Sequence, residues 1–282
     1  MENMEQESLL DEIPYKELKG AYHQLEKKNK DLLDGLYYAA FVQQGLLPQA
    51  RHFKKLKQPY FVYYNPLQII GGDFFWIGKK EDWNLYAVGD CTGHGVSGAM
   101  LSALAIGFLN YVIYSKQFES VGAILNEIDK KWIETFNHFE DDDVNNDWME
   151  LSLIAYNPTS QQLHFAGAGG SFLFSDHDHN IRRIRGNAYP IGGWQMESNR
   201  RFDTRIMSVT PGSKIYLYSD GFKDQFGGAD NKRMGSQRFQ QMLTSGNFLN
   251  SADQKELIEN QFNAWRNSTE QTDDVCLLRI DL

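Results

Sequence analysis

From residue 60 onward the chain consists of short apolar runs, each bounded by glycine, asparagine, aspartate or proline. We interpret seven of them as strands: YFVYYNP, NLYAVGD, MELSLIAYN, QLHFAGA, SFLFSD, KIYLYSD and VCLLRI. Several are apolar on both faces, which is typical of strands covered on each side. With 41% apolar residues, the 282-residue chain can bury one large core, or one core plus a small appendage.

Helical periodicity interrupts the strands. Residues 97–115 are apolar nearly all round, and residues 121–139 have apolar side chains on one face. A further helix is predicted at about residues 252–265, before the last strand. Strands in runs, a helical pair and then more strands predict an α+β fold, with a central two-sheet, mostly antiparallel β-sandwich flanked by helices.

The first fifth of the chain has a different pattern, which is helical from about residue 15 to 44. Two interleaved sets of residues repeat every seven positions: Leu18, Leu25, Leu32 and Ala39, and Tyr22, Asn29 and Leu36. This spacing predicts either a coiled-coil seam or an amphipathic helix packed on its own domain. In a coiled-coil seam, the polar Asn29 would lie at an a position of the heptad, where such a residue selects the register and a parallel pairing of two helices. Gly45 and Pro48 end the helix, so we assign residues 1–50 to an N-terminal helical segment for regulation or dimerisation.

Composition and charge exclude several classes of function. The chain has 28 Lys and Arg against 37 Asp and Glu, a net charge of −9, and no dense basic run, which argues against nucleic-acid binding. Its first residues are acidic where a signal peptide is basic, and no long uninterrupted apolar run predicts membrane insertion. Cys91 and Cys276 lack metal-binding spacing and are expected to be reduced. We therefore expect a cytoplasmic protein, or the cytosolic portion of a longer membrane sensor.

Four aspartates lie where a predicted strand ends or a tight turn begins. They occur in GGDFF, AVGDCTGHG, LYSDGF and QTDDV: Asp73, Asp90, Asp220 and Asp273. Each alone fits an ordinary turn or cap. Asp90 and Asp220 follow strongly apolar strands, however, and clustered carboxylates at a core edge repel one another unless a cation or proton compensates them. Oxygen ligands without His or Cys select Mg²⁺ or Mn²⁺, and two such ions suit in-line displacement at phosphorus.

The order GGDFF, GDCTGHGVSGAM, AGAGG, YSDGF and TDDVCLL resembles the SpoIIE-type bacterial branch of the protein phosphatase 2C (PPM) family of metal-dependent serine/threonine phosphatases. The resemblance covers about residues 60–282 and identifies 51–282 as a PPM-type phosphatase domain. It implies a β-sandwich with two Mn²⁺ or Mg²⁺ ions at one end. It also implies that the helix ending in GLLPQ couples an upstream sensor or a dimer partner to the active site.

The resemblance implies a role for individual residues. Asp90 would bridge both ions, assisted by the carbonyl of Cys91, and Asp73 would hold one ion. Asp220 and Asp273 would hold the other. Asp274 is the alternative to Asp273, because the double Asp can slip by one position.

Further residues surround these ligands. Four glycines would let the backbone crowd the site: Gly72, Gly93, Gly95 and Gly221. His94 is either a proton donor to the leaving oxygen or a turn residue that hydrogen-bonds nearby backbone. No arginine clamp adjoins the acidic motifs in the sequence.

The implied reaction is hydrolysis of phosphoserine or phosphothreonine by water, without a phosphoenzyme. The implied substrate is a phosphorylated STAS-type anti-sigma-factor antagonist or a similar partner-switching regulator. The chain departs from the family pattern at three places. Phe-Lys-Asp-Gln follows SDG where many relatives have Val-Thr-Glu, AGAGG replaces AGH, and the common Phe-Met-Thr pattern is missing just before MELSLIAY. These departures concern the choice of substrate and the regulation of loops. None removes a predicted ligand.

Competing interpretations remain for two motifs and for the function. Residues 93–98 formally match the dinucleotide fingerprint GxGxxG, but Asp90 would then face a pyrophosphate and no alternating βαβ series follows. The segment SDHDHN at 175–180 predicts a solvated hairpin turn or a His/Asp metal site, and the acidic run 140–143 predicts a loop tip. A catalytically silent phosphatase-fold binding or switch module is the alternative function. A silent relative usually loses a ligand, whereas all four positions are occupied here.

Overall fold

The computed structural model describes residues 15–115, 117, 119–136, 146–193 and 200–282. The chain divides into two compact units, Met1–Val42 and Gln43–Leu282. The larger unit therefore takes in residues 43–50, which the sequence analysis assigned to the N-terminal segment. The functional division into 1–50 and 51–282 stays a prediction. The acidic run 140–143 and the predicted helical residues 137–139 lie outside the described residues.

The first helix, α1, spans Tyr15–Leu46, close to the predicted bounds. Its seven-residue apolar repeat lies on the surface of the chain, since Leu18, Leu25 and Leu32 are 56%, 67% and 63% exposed. The helix ends ahead of Pro48, as expected from a residue that cannot continue a helix. A row of exposed leucines at this spacing is typical of a surface that a second helix covers.

Two sheets form the centre of the larger unit. The first contains β1 (Tyr60–Asn65), β6 (Ser171–Ser175), β7 (Ile181–Arg185), β10 (Lys214–Tyr218) and β13 (Val275–Asp281). The second contains β2 (Phe74–Lys80), β3 (Trp83–Cys91), β4 (Trp148–Asn157), β5 (Gln162–Ala168), β8 (Ile191–Gly192) and β9 (Arg205–Ser208). The order is β1-β13-β10-β6-β7 in the first sheet and β2-β3-β4-β5-β9 in the second, with β8 beside β4. Neighbouring strands in both sheets are antiparallel.

Helices cover the outer face of each sheet. The helices that follow α1 are α2 (Ala50–Leu56), α3 (Gly95–Ser115), α4 (Val121–Phe136), α5 (Gly221–Asp224), α6 (Gly235–Ser245) and α7 (Ser251–Arg266). A two-stranded ribbon, β11 (Phe226–Gly227) and β12 (Lys232–Arg233), follows α5. Helices α3 and α4 contact strands of the second sheet, and α5 and α7 contact strands of the first.

Strand alternation explains this layering. In β13, Cys276 and Leu278 pack into the core between the sheets, whereas Val275 and Leu277 pack into the core under α5 to α7. Successive side chains of a strand point to opposite faces, so a strand that is apolar throughout needs cover on both sides. The predicted α+β sandwich flanked by helices is confirmed.

Helix α3 is long and apolar enough, by length and composition alone, to cross a membrane. The sequence analysis did not single it out, because small and polar residues interrupt its apolar run. In the structure Leu101, Ile106 and Leu109 are buried in the core that includes the second sheet. Packing in the core accounts for the apolar residues on the buried side of this helix.

Several elements escaped the sequence analysis. Strand β2 begins directly after Asp73 in a motif interpreted only as a turn. Strand β7 has three arginines among its five residues and lies at a sheet edge, where charged side chains are common. The segment SDHDHN is confirmed as the turn of the β6–β7 hairpin, closed by hydrogen bonds between Asp176 and Asn180.

Candidate active site

Strand pairing brings Asp73 and Asp90 together in the second sheet. Asp73 immediately precedes β2, and Asp90 is the last but one residue of β3. The strands are antiparallel with Phe74 opposite Gly89, so the start of β2 lies beside the end of β3. Asp90 is the last residue of the predicted strand NLYAVGD, and the structure extends β3 by one residue to Cys91. Asp90 lies opposite Glu150 of β4.

The first sheet supplies the other two aspartates in the same way. Asp220 follows β10 by two residues, and Asp273 precedes β13 by two. These strands are also antiparallel, with Tyr218 opposite Leu277. Strands β10 and β13 contact β2 and β3 across the sandwich. Antiparallel pairing in two facing sheets therefore places all four carboxylates at one end of the sandwich.

The carboxylates of Asp73 and Asp90 are buried close enough to perturb each other. Burial raises the pKa of Asp73 well above its usual range, and the charge of Asp90 raises it further. Burial likewise raises the pKa of Asp90, with the charges of Asp220 and Asp273 as the next causes. Since like charges oppose ionisation only at short range, these shifts show one acidic cluster.

Asp220 and Asp273 complete the cluster on its more exposed side. Burial is the main cause that raises the pKa of each. The positive charge of Lys223 lowers the pKa of Asp220, against the effect of burial. The negative charge of Asp220 raises the pKa of Asp273 further. The structure thus brings together the four aspartates that the sequence singled out.

The donor chemistry of this cluster fits a hard divalent cation. None of the four carboxylates forms an ion pair with a lysine or arginine of the described residues. Partly buried carboxylates without a counter-ion are costly unless protons or metal ions compensate them, and all-oxygen donors suit Mg²⁺ or Mn²⁺. Across the described ranges, however, no three His, Cys, Asp or Glu side chains are already arranged around one ion position. The fit therefore rests on donor chemistry and convergence.

The neighbours Asp273 and Asp274 have different tasks. Asp274 is buried, and its carboxylate accepts hydrogen bonds from the backbone N–H groups of Leu67 at 2.6 Å, Gly72 at 2.6 Å and Asp73 at 3.4 Å. Both of its oxygens hold the loop that carries Asp73. The carboxylate of Asp273 accepts from the backbone N–H of Asp274 at 2.8 Å and lies near Asp220. Of the two carboxylates, that of Asp273 therefore has fewer hydrogen-bond donors around it and lies closer to the other acids.

Ser219 was missed by the sequence analysis although it stands next to Asp220 in the YSDGF motif. Its hydroxyl donates to Oδ2 of Asp73 at 2.5 Å and accepts from the backbone N–H of Cys276 at 2.9 Å. It therefore ties the end of β10 to the start of β2 and fixes one carboxylate oxygen of Asp73.

The predicted crowding by glycines has a geometric basis. A Cβ on Gly72 would lie 2.8 Å from the carbonyl oxygens of both Cys91 and Gly93, and one on Gly221 would lie 2.0 Å from the carbonyl oxygen of Asp274. Gly93 and Gly95 adopt φ angles of 82° and 64°, which favour glycine. Cys91 itself is a buried free thiol at the end of β3.

His94 is exposed, and its Nδ1 lies 3.1 Å from Nε2 of Gln68. Its backbone carbonyl accepts from the Ser97 hydroxyl at 3.3 Å. These contacts fit the turn-residue interpretation. A role in proton transfer stays a prediction.

Gln43, in the last turn of α1, is a second residue that sequence reasoning missed. Its Nε2 donates to the carbonyl of Gly71 at 2.7 Å and to the hydroxyl of Ser102 at 3.0 Å. Gly71 lies against the carboxylate of Asp274, since a Cβ on it would be 2.5 Å from both carboxylate oxygens. Gln43 therefore supports the same loop that Asp274 holds, and a lone glutamine in a helix gives no sequence signal for this.

Glu150 adds a fifth acid to this region. It lies opposite Asp90 in the sheet, and its Cγ would be 3.0 Å from a Cβ on Gly169 in the AGAGG segment. Burial raises the pKa of Glu150, whereas the charge of Lys223 lowers it, and that of Arg183 also lowers it. Sequence reasoning missed Glu150, because a single acid inside the apolar run MELSLIAYN forms no recognisable motif.

Comparison with known proteins identifies this arrangement. The sequence profile of the Stage II sporulation protein E (SpoIIE) family matches residues 82–282. The SiaA-PP2C domain of Pseudomonas aeruginosa is 27% identical, with a TM-score of 0.80 over 90% of this chain and 98% of that chain. No curated protein sequence matches the chain.

More distant structures share the fold. The PP2C phosphatase domain of SpoIIE from Bacillus subtilis, with a fragment of its regulatory domain, is 13% identical, with a TM-score of 0.62 over 80% of this chain and 64% of that chain. The catalytic domain of the serine/threonine protein phosphatase PstP, in complex with two manganese ions, is 15% identical, with a TM-score of 0.53 over 79% of this chain and 97% of that chain.

Proposed function

Because the chain belongs to the SpoIIE family and has the fold of PP2C-type phosphatases, we propose that it is a metal-dependent protein serine/threonine phosphatase. The observation that carries this proposal is the convergence of Asp73, Asp90, Asp220 and Asp273 at one end of the sandwich, where none of them forms an ion pair with a described lysine or arginine. All four positions of the implied ligand set are acidic.

We propose that these residues hold two Mn²⁺ or Mg²⁺ ions. Asp90 would serve both ions, assisted by the carbonyl of Cys91, Asp73 would serve one ion, and Asp220 and Asp273 would serve the other. The engagement of Asp274 with backbone supports the choice of Asp273, and a similar structure, PstP, contains two manganese ions. Bound ions would acidify a water and neutralise charge on the phosphoryl group.

The chain's own residues position this chemistry. Ser219 orients Asp73, and Asp274 fixes the loop on which Asp73 stands. Burial of Asp73 keeps bulk water from one side of the cluster. The loop and the strand ends thus hold the carboxylates in place before a substrate binds.

The test is hydrolysis of an aryl phosphate in Mn²⁺ and then in chelator. We expect activity in Mn²⁺ only. Asp90→Ala and Asp220→Asn should each lower activity by more than about 100-fold, because losing a direct metal ligand should reduce activity at least as much as losing a residue that orients one. Asp230→Asn is a matched control, since Asp230 is an exposed acid paired with Lys232. Activity that survives the chelator or either site substitution would contradict the assignment.

The proposed substrate is a phosphorylated STAS-type regulator, with an opposing kinase in a partner-switching system. Its support is the family resemblance. Release of phosphate from a phosphoserine-containing STAS domain, followed by mass spectrometry, tests it. A catalytically silent binding module would instead bind the phosphoprotein and leave its mass unchanged.

We also propose a homodimer formed through α1, in the cytoplasm or as the cytosolic part of a longer sensor. The exposed heptad leucines support the dimer, and two buried free thiols suit a reducing compartment. Leu25→Asp and Leu32→Asp should lower the sedimentation mass, whereas Lys27→Asp, on the opposite face, should not. An unchanged mass in the leucine variants would exclude this seam.

A further inference from the structure

The proposed site has more negative charge than two divalent ions neutralise. Glu150 and Asp90 line one small cavity together with Tyr218. With Glu150, five carboxylates face the four positive charges of two divalent ions, even before Asp274 is considered. A phosphate monoester is itself a dianion near neutral pH. Binding of this dianion therefore requires positive charge from the protein.

Lys223 is one cation placed to supply this charge. It lies on α5, and its Nζ is 5.7 Å from the centroid of the Tyr218 ring. Tyr218 lies on the wall of the cavity that Asp90 and Glu150 line. The ammonium group therefore stands above one wall of the acidic cleft.

Arg183, on β7, is linked to the same wall through Ser171. Its Nε donates to the Ser171 hydroxyl at 2.9 Å, and that hydroxyl lies 3.0 Å from the hydroxyl of Tyr218. Its two terminal nitrogens make no hydrogen bond within the described part of the chain. The guanidinium is thus oriented by one nitrogen while the others are free to bind an anion.

Neither cation is neutralised by a local partner. Among the residues that the structure describes, neither Lys223 nor Arg183 forms an ion pair. Lys223 lies over the ring of Tyr218, and Arg183 donates to the Ser171 hydroxyl that contacts the hydroxyl of Tyr218. Both positive charges therefore lie beside the wall of the acidic cleft.

We propose that Lys223 and Arg183 bind the non-bridging oxygens of the substrate's phosphoryl group and so complete the phosphate site. This inference rests on the proposed phosphatase function. Lys223 belongs to the stretch Phe-Lys-Asp-Gln, where many relatives have Val-Thr-Glu, so this lysine would distinguish the chain from those relatives. Arg183 offers planar donors that match phosphate oxygens, and Lys223 adds a point charge.

A direct binding measurement tests the proposal without turnover. Inorganic phosphate is titrated calorimetrically into the Mn²⁺-loaded protein. We expect Lys223→Met and Arg183→Gln each to weaken phosphate binding by about threefold to tenfold, as for one partly exposed charged contact. Lys223→Arg should restore most of the affinity, because it keeps the charge.

Matched controls separate this role from a structural one. Lys232→Met removes an exposed lysine from β12. Arg182→Gln removes the neighbour of Arg183, and Arg182 itself stacks over the ring of Phe174. Both should bind phosphate as the wild type does. Lys223→Met and Arg183→Gln should have the melting temperature and the Mn²⁺ affinity of the wild type. Such a result would show that the fold and the metal site are intact.

Kinetics distinguish the two proposals from each other. With a phosphoserine peptide, the Lys223 and Arg183 variants should raise KM more than they lower kcat. If the wild type hydrolyses phosphate esters and both variants bind phosphate with wild-type affinity, the inference is wrong and the phosphatase proposal stands. If the wild type neither hydrolyses esters nor binds phosphate, the proposed function itself fails.

Discussion

At the scale of single residues, the neighbours Asp273 and Asp274 show how surroundings divide one motif between two tasks. The carboxylate of Asp274 is surrounded by backbone donors, whereas that of Asp273 is near other acids. A carboxylate saturated by N–H groups stabilises a fold, and one that faces like charges is stabilised by a cation.

These surroundings predict opposite effects of substitution. Asp274→Ala should lower the free energy of unfolding by about 2–4 kcal/mol, because it leaves buried N–H groups without acceptors. Asp273→Asn should weaken Mn²⁺ binding and leave the metal-free protein at least as stable, because it removes a repelled charge. Urea denaturation in chelator and Mn²⁺ titration measure the two effects. Similar losses of stability in both variants would contradict this division.

The sequence predicted the four acids because each stands in a short motif with a turn glycine or a strand beside it. It left the choice between Asp273 and Asp274 to the resemblance, since the decision depends on N–H groups more than 200 residues away. Arg183 and Gln43 gave no signal for the same reason. Their partners are set by the tertiary fold.

At the scale of elements, the last turn of α1 is joined to the loop before β2 through Gln43. Gln43→Ala removes the hydrogen bonds to Gly71 and Ser102 and leaves the buried N–H of Gly71 without its side-chain acceptor, whereas Ser102 still donates to the Ala99 carbonyl. We expect a loss of about 1–3 kcal/mol in stability, faster amide exchange at Gly71 and Gly72, and lower phosphatase activity. Gln44→Ala, at an exposed neighbour, is the control. Unchanged exchange at the two glycines would show that Gln43 does not support the loop.

Elements were predictable where the local pattern was strong. The long apolar strands and helices α1, α3, α4 and α7 followed from periodicity. Other contacts depend on distant parts of the chain: Asp129 of α4 accepts hydrogen bonds from Arg200 at 2.5 Å and from the backbone N–H of Gly192 at 2.8 Å. No spacing in the sequence indicates that pair, because it forms only after α4 has docked beside β8.

At the scale of the whole molecule, the acidic cluster should make stability depend on both pH and metal. The pKa values of Asp73, Asp90, Asp220 and Asp273 are all raised above the ordinary 3.8. Between that value and the raised pKa, the folded state holds protons that the unfolded state has lost. The contribution of these groups therefore favours folding at low pH and is lost as pH rises, by up to about 1.4 kcal/mol per pH unit for each proton.

We therefore expect that, in chelator, the wild type loses more stability than Asp90→Asn when the pH is raised from about 4 to 8, since the amide cannot ionise. Mn²⁺ should reverse the trend in the wild type, because the cation replaces the protons and binds the ionised carboxylates. Thermal melts at several pH values, with chelator and with Mn²⁺, measure both effects. The difference between wild type and variant isolates the cluster from the other carboxylates of the chain. If the two proteins respond equally to pH in chelator, and Mn²⁺ stabilises neither, the four aspartates do not form a cation-dependent cluster.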